Sequence, residues 1–304
     1  MIPRPKPERF RLRRTMMFMN AQKPGLIKDA YIYGVDSIML DLEDAVAENQ
    51  KDSARFSLYH ALKTIDYGDT EVIVRINGLD TPHWQEDIRV CVAGGADGIR
   101  IAKCESAQDV KTVEEHVLAA EREFGVEEGR TLLMAALESP KGIRNAYEIC
   151  AASDRMFGVA ISGGDLRKCL QTSFQKSGID MAYSRGVMLN SAREAGIQCF
   201  DTVFTDLDDM EGYETELRMI KAMGFDGKSL INPKQIRLAH EIFAPTEKEV
   251  RQAEAMVAAF REAAAKGIGV FTVNGKMVDI AFIPGAERTL RLAKASGMEV
   301  NIEI

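Results

Sequence analysis

Leu132 to Asp165 reads LLMAALESPKGIRNAYEICAASDRMFGVAISGGD. Two apolar runs, Leu132–Leu137 and Met156–Ile161, flank a polar, helix-length segment, and a carboxylate follows each run, Glu138 after the first and Asp165 after the second. Short apolar runs of this kind read as buried strands, with the segment between them as a helical crossover. The unit recurs. Strand-like runs at Thr15–Phe18, Ser37–Leu42, Val72–Ile76, Gly98–Ala102, Phe200–Phe204 and Gly227–Ile231 bring the total to eight. Eight strands alternating with helices predict a closed (β/α)8 TIM barrel.

The helices can be tested by their spacing. After Ser106, with Asp109 three positions on as a capping box, Val110, Val113, Val117, Ala120 and Phe124 step by three and four. After Pro245, Thr246 and Glu249 form a second box, and Val250, Ala253, Val257, Phe260 and Ala264 line one face until Gly267. That helix lies beyond the eighth strand. The barrel is therefore expected to occupy residues 1–240, leaving 241–304 as a C-terminal helical extension. It would hold a helix, an extended run at Ile268–Val273 and a last helix from about Pro284, and would cover the active site, an oligomer interface or both.

Charge and composition narrow the function classes. Thirty-nine Lys and Arg against 46 Asp and Glu leave a net charge of −7, which disfavours nucleic acid and acidic membrane surfaces as partners. No window approaches the roughly 18 uninterrupted apolar residues of a membrane span, so a soluble, cytoplasmic protein is expected. The five cysteines, an odd number without Cys-x-x-Cys spacing, suit a reducing compartment, and each is expected to be a small core residue. The first ten residues, with Arg4, Lys6 and Arg9 among prolines, read as a solvated arm.

In a parallel barrel the chemistry sits at the carboxyl ends of the strands. The second run brings Asp41, Glu43 and Asp44 there, the third Arg75 and Asn77, the fifth Glu138 and the sixth Asp165. Glu138 and Asp165 end neighbouring strands and form an oxygen-rich pair suited to Mg2+, a cation that keeps several waters for substrate oxygens to replace. The competing reading makes each a helix cap or an ion-pair partner. Arg75 offers a planar fork to a carboxylate, or pairs structurally with Glu43 or Asp44. The scattered histidines, His60, His83, His116 and His240, argue against zinc and against a Ser-His-Asp hydrolase. Gly227-Lys228-Ser229 lacks the upstream glycine of a phosphate loop, since Ala222 stands there.

Seven blocks in order, RRTMMFM from Arg13, MLDLEDAV from Met39, VIVRIN from Val72, AALESPKGI from Ala135, GFDGKSLINPKQI from Gly224, FAPTEKEV from Phe243 and VNGKMVD from Val273, resemble the citrate lyase beta subunit, a CitE-like branch of the HpcH/HpaI aldolases. The resemblance implies an oligomer, commonly a trimer, with Mg2+ on Glu138 and Asp165, substrate carboxylate on Arg75, and Glu138 also facing the substrate. It implies further that Asp279 reaches over a neighbouring subunit as an acid or base, where composition alone reads a turn residue. The activity implied is cleavage of a citryl thioester, on coenzyme A or an acyl carrier subunit, to oxaloacetate and an acetyl thioester, beside alpha and gamma subunits. Glu43 and Asp44 are candidates for removing the hydroxyl proton.

Two departures from the family stand out: FMNAQKPG replaces a Val-Pro-Gly loop after the first strand, and ISGGD places Gly164 where Glu is common. Within the same family a malyl- or citramalyl-coenzyme A lyase, or a thioesterase, is the alternative, and a noncatalytic thioester-binding subunit is the rival from another class. Lys103, Lys228 and Lys276 stand either as phosphate contacts for the thioester carrier or as solvated rim residues.

Overall fold

Each of the eight apolar runs forms a strand: β1 Thr15–Asn20, β2 Ser37–Asp41, β3 Glu71–Ile76, β4 Gly98–Ile101, β5 Leu132–Leu137, β6 Met156–Ile161, β7 Gln198–Asp201 and β8 Gly227–Leu230. They pair in parallel in chain order, and β8 returns to β1, closing the barrel. The computed structural model describes residues 5–273 and 275–303, with Lys276 described by its backbone alone. Arg4, Asn274 of the VNGKMVD block and the side chain of Lys276 lie outside the described residues.

Strand periodicity sorts the side chains into layers inside the barrel. Met16, Met39, Ile73, Met134, Phe157 and Phe200 fill the middle. At the amino-terminal end Arg13 makes paired bonds of 2.8 and 2.7 Å to Glu71, which also accepts from Ser37 at 2.7 Å. At the carboxyl end the same inward period brings up Asp41, Arg75, Arg100 and Glu138. The barrel is thus capped below by a saturated ion pair and opens above into charge.

Closure depends on one glycine. A Cβ on Gly227, the first residue of β8, would lie 2.0 Å from the Arg13 carbonyl oxygen, so only glycine lets β8 approach the chain entering β1.

Several expectations need correction. The seventh strand begins and ends earlier than the Phe200–Phe204 run, because Phe204 leaves the sheet and is buried against Phe174 and Tyr213. Phe124 ends its capped helix on the surface beneath the Arg89 guanidinium, and Ala264 is exposed while Ala263 is buried. Described arm residues make specific contacts: Arg9 donates to the Met156 carbonyl at 2.9 Å, and Lys6 pairs with Glu127 at 2.5 Å. Lys228 is fully buried, 2.7 Å from Asp201 and 3.2 Å from Glu216, so it meets neither a phosphate nor solvent.

The chain divides into two compact units between Ala239 and His240. In the second, helices Glu247–Ala265 and Ile283–Ala295 bury Val250, Ala253 and Val257 with Ala286, Leu290 and Ala293. Between them the expected extended run forms β9, Val270–Val273, and pairs with β10, Lys276–Asp279, in an antiparallel hairpin whose second strand the sequence did not suggest. Among the described residues no helix is long and apolar enough to cross a membrane.

Candidate functional site

The parallel register places Asp41, Arg75 and Arg100 side by side on β2, β3 and β4, all pointing inward. Asp41 accepts from Arg75 Nε and Nη2, each at 2.7 Å, a two-pronged charge-assisted pair. The Arg75 fork expected to meet a substrate carboxylate is therefore filled by Asp41, and the competing ion pairs with Glu43 and Asp44 are present as well. Its remaining nitrogen, Nη1, lies 2.8 Å from Glu43 Oε2 without the alignment of a hydrogen bond, and 3.8 Å from Asp44. Burial works against charge on both Asp41 and Arg75, but their mutual bonds outweigh it: Asp41 is held below its ordinary range and Arg75 above.

Lys103, just past β4, reaches Glu43 Oε1 at 2.7 Å. It is one of two described non-glycine residues with a left-handed backbone, at φ +50°. Such a residue carries strain and is enriched at functional sites.

Glu138, 3% exposed, accepts from Ser162 Oγ at 3.2 Å through Oε1, while Oε2 is buried without a hydrogen-bond partner. Burial, and next the charge of Glu43, push its carboxyl up to about 7 against the pull of Arg100. Asp165 is half-buried in the first turn of helix Gly163–Leu170. It lines two cavities: one of about 440 Å3 shared with Glu138 and Lys103, and one of about 430 Å3 shared with Asp41, Arg75, Arg100 and Ser162.

The donor set fits Mg2+. Among the described residues no group of three His, Cys, Asp or Glu side chains is assembled for a metal. Two carboxylates on one cavity, one of them with an unpartnered buried oxygen, leave room for the waters and ligand oxygens that Mg2+ requires. Around them Asp41, Glu43, Asp44, Glu138 and Asp165 outnumber Arg75, Arg100 and Lys103, an excess of acidic groups that suits a divalent cation.

Asp279 lies in the second unit at the end of β10, where its Oδ1 accepts from the Ala281 amide at 2.9 Å and caps a short turn. Cys169, expected in the core, is instead exposed on the Glu138 cavity, whereas the other four cysteines are buried.

Sequence reading missed Arg100. It is 1% exposed, donates to Ser162 Oγ at 2.9 Å, and leaves Nε and Nη1 buried without partners. The signal was present: Arg100 interrupts β4 as Arg75 interrupts β3.

The family described as HpcH/HpaI aldolase/citrate lyase matches residues 14–233. The chain is 50% identical over 286 residues to the citrate lyase subunit beta of Leuconostoc mesenteroides subsp. cremoris, covering 94% of this chain and 95% of that one. It is 44% identical over 288 residues to the citrate lyase subunit beta of Escherichia coli, covering 95% of each. A solved structure of Mycobacterium tuberculosis CitE with magnesium, acetoacetate and coenzyme A superposes at a TM-score of 0.73 and 29% identity, covering 92% of this chain and 98% of that one. A (β/α)8 barrel with converging carboxylates and arginines at its carboxyl end, matched over nearly its whole length, belongs to the HpcH/HpaI aldolase/citrate lyase family.

Proposed function

We propose that the chain is the carbon–carbon-cleaving subunit of a citrate lyase, which splits a citryl thioester, on an acyl carrier subunit or coenzyme A, into oxaloacetate and an acetyl thioester. The observation that carries this reading is the 50% and 44% identity, over nearly the full chain, to proteins named citrate lyase subunit beta. A (3S)-malyl-CoA thioesterase of Cereibacter sphaeroides is 36% identical, which makes malyl thioesters the alternative substrates.

Glu138 and Asp165 would hold Mg2+, and the bound ion would supply a Lewis acid for the oxygen that becomes the keto group. Arg75, locked in orientation by Asp41, would present Nη1 to the carboxylate beside the reacting carbon. Glu43 and Asp44, on the loop after β2, would remove the hydroxyl proton; the Oε2 of Glu43 that lacks a hydrogen bond is a ready acceptor. Asp279 from a neighbouring copy would protonate the enolate carbon left on the thioester side, which requires an oligomer, proposed to be a trimer. Alpha and gamma subunits would exchange and carry the acyl group, in the cytoplasm.

The test is a substrate panel. The purified chain with Mg2+ is expected to release acetyl-coenzyme A from citryl-coenzyme A faster than it cleaves the malyl or citramalyl thioesters. Release of free coenzyme A from malyl-coenzyme A as the dominant reaction would replace the lyase by a thioesterase.

A further inference from the structure

Citryl, citramalyl and malyl thioesters share the hydroxyl, the adjacent carboxylate and the bond to be broken. They differ in one substituent on the reacting carbon: a carboxymethyl, a methyl or a hydrogen. A site selective for the citryl group must therefore hold a second carboxylate, and a buried carboxylate needs a cation with free donors.

Of the two described arginines buried in the site, Arg100 is the one with two nitrogens left unpartnered. Asp41 takes two of the three Arg75 nitrogens, leaving Nη1, 2.8 Å from Glu43, for the carboxylate common to all three thioesters, and Lys103 is engaged by Glu43. Arg100 has no carboxylate partner within ion-pair reach among the described residues; its one hydrogen bond goes to the hydroxyl of Ser162. Its position makes this costly. It is the register partner of Arg75, so two guanidinium groups stand on adjacent strands, 5.0 and 5.2 Å from the centre of the same Phe18 ring. Like charges placed opposite one another across strands repel. Burial first, and the Arg75 charge second, lower the proton affinity of Arg100 to about 10.

The missing counter-charge has a place to sit, because Arg100, Arg75, Phe18 and Ser162 line one cavity with Asp165.

We propose that Arg100 is the receptor for the carboxymethyl carboxylate of the substrate, and so the residue that selects a citryl thioester over citramalyl and malyl thioesters. This rests on the proposed lyase function. Arg75 orients the carboxylate common to all three, and Arg100 reads the substituent that distinguishes them. The product oxaloacetate keeps both carboxylates and engages both arginines; pyruvate, with one, engages Arg75 alone.

The experiment uses the full chain with Mg2+ and the variant Arg100→Met, which fills similar space without charge. Two quantities are read: the ratio of kcat/KM for citryl- over citramalyl-coenzyme A, and the dissociation constants of oxaloacetate and pyruvate by calorimetry. A site built around a polar group discriminates strongly by leaving it unpaired, so the ratio is expected to fall by about 100-fold or more. Oxaloacetate should weaken by a comparable factor, with pyruvate binding within about threefold of wild type. Arg100→Lys, which keeps the charge and loses the fork, is expected to fall between the two and covers the case in which Arg100→Met does not fold. An equal loss for both thioesters and both keto acids would overturn the assignment, since a residue that only positions Ser162 and Glu138 would act on all alike. The calorimetric arm separates the two levels. If the wild type cleaves no citryl thioester, the lyase reading fails, yet an oxaloacetate preference abolished by Arg100→Met would still support the receptor; a wild type that binds both keto acids equally would overturn it.

Discussion

Glu138 links the proposed metal site to stability. In the folded, metal-free protein its carboxyl is raised from an ordinary 4.5 to about 7. A raised acid favours folding most fully below the unfolded value, and that contribution is lost as pH rises through the folded value. Above pH 7 an ionised, buried Glu138 should therefore cost the metal-free protein roughly 3 kcal/mol, since each tenfold change in proton affinity is worth about 1.4 kcal/mol. Thermal unfolding should show Glu138→Gln more stable than wild type at pH 8 without metal, and nearly equal at pH 5. Added Mg2+ should raise the wild-type Tm at pH 8 and leave the variant unmoved; equal Mg2+ effects in both would remove Glu138 from the ligand set. Residue by residue, the sequence exposed the carboxylates because polar side chains at the ends of apolar runs stand out. It could not expose Asp41 as the two-pronged partner of Arg75, which depends on cross-strand register, nor the left-handed backbone of Lys103.

Among the elements, the strands were legible because a strand buried on both faces must be apolar throughout, as Leu132–Leu137 and Met156–Ile161 are. The capped helices were legible for a local reason: Ser106 with Asp109 and Thr246 with Glu249 form their boxes within one turn. The first strand of the hairpin, β9, was legible as the extended run Ile268–Val273, but β10 was passed over although the sequence there carries Asn-Gly, a dipeptide that favours a two-residue turn, and Gly275 has φ +78°. Barrel closure supplies the prediction at this scale. Gly227→Ala would force a Cβ against the Arg13 carbonyl and separate β8 from β1. Overpacking against backbone that cannot yield should cost about 3 kcal/mol or more, read as a lower denaturant midpoint or loss of soluble protein. Wild-type stability in this variant would mean that β8 does not depend on so close an approach.

For the whole molecule, the role proposed for Asp279 is the part least legible in the sequence, because a side chain proposed to act on another copy leaves no local pattern. If Asp279 serves the barrel of a neighbour, Glu138→Ala and Asp279→Asn should each lose activity, and an equimolar co-assembly should recover about a quarter of it, the share of sites pairing an intact barrel with an intact aspartate in a cyclic oligomer. Recovery absent from a well-assembled mixture would place Asp279 with its own barrel or give it a capping role alone. The central claim is metal-dependent cleavage of a citryl thioester at the carboxyl end of this barrel, and its most direct test is oxaloacetate release from citryl-coenzyme A by the purified chain with Mg2+, with a chelator, and with Glu138→Ala. Release is expected with Mg2+, none with chelator, and none from a folded Glu138→Ala; undiminished release under chelation, or from the variant, would contradict a metal-dependent site on Glu138.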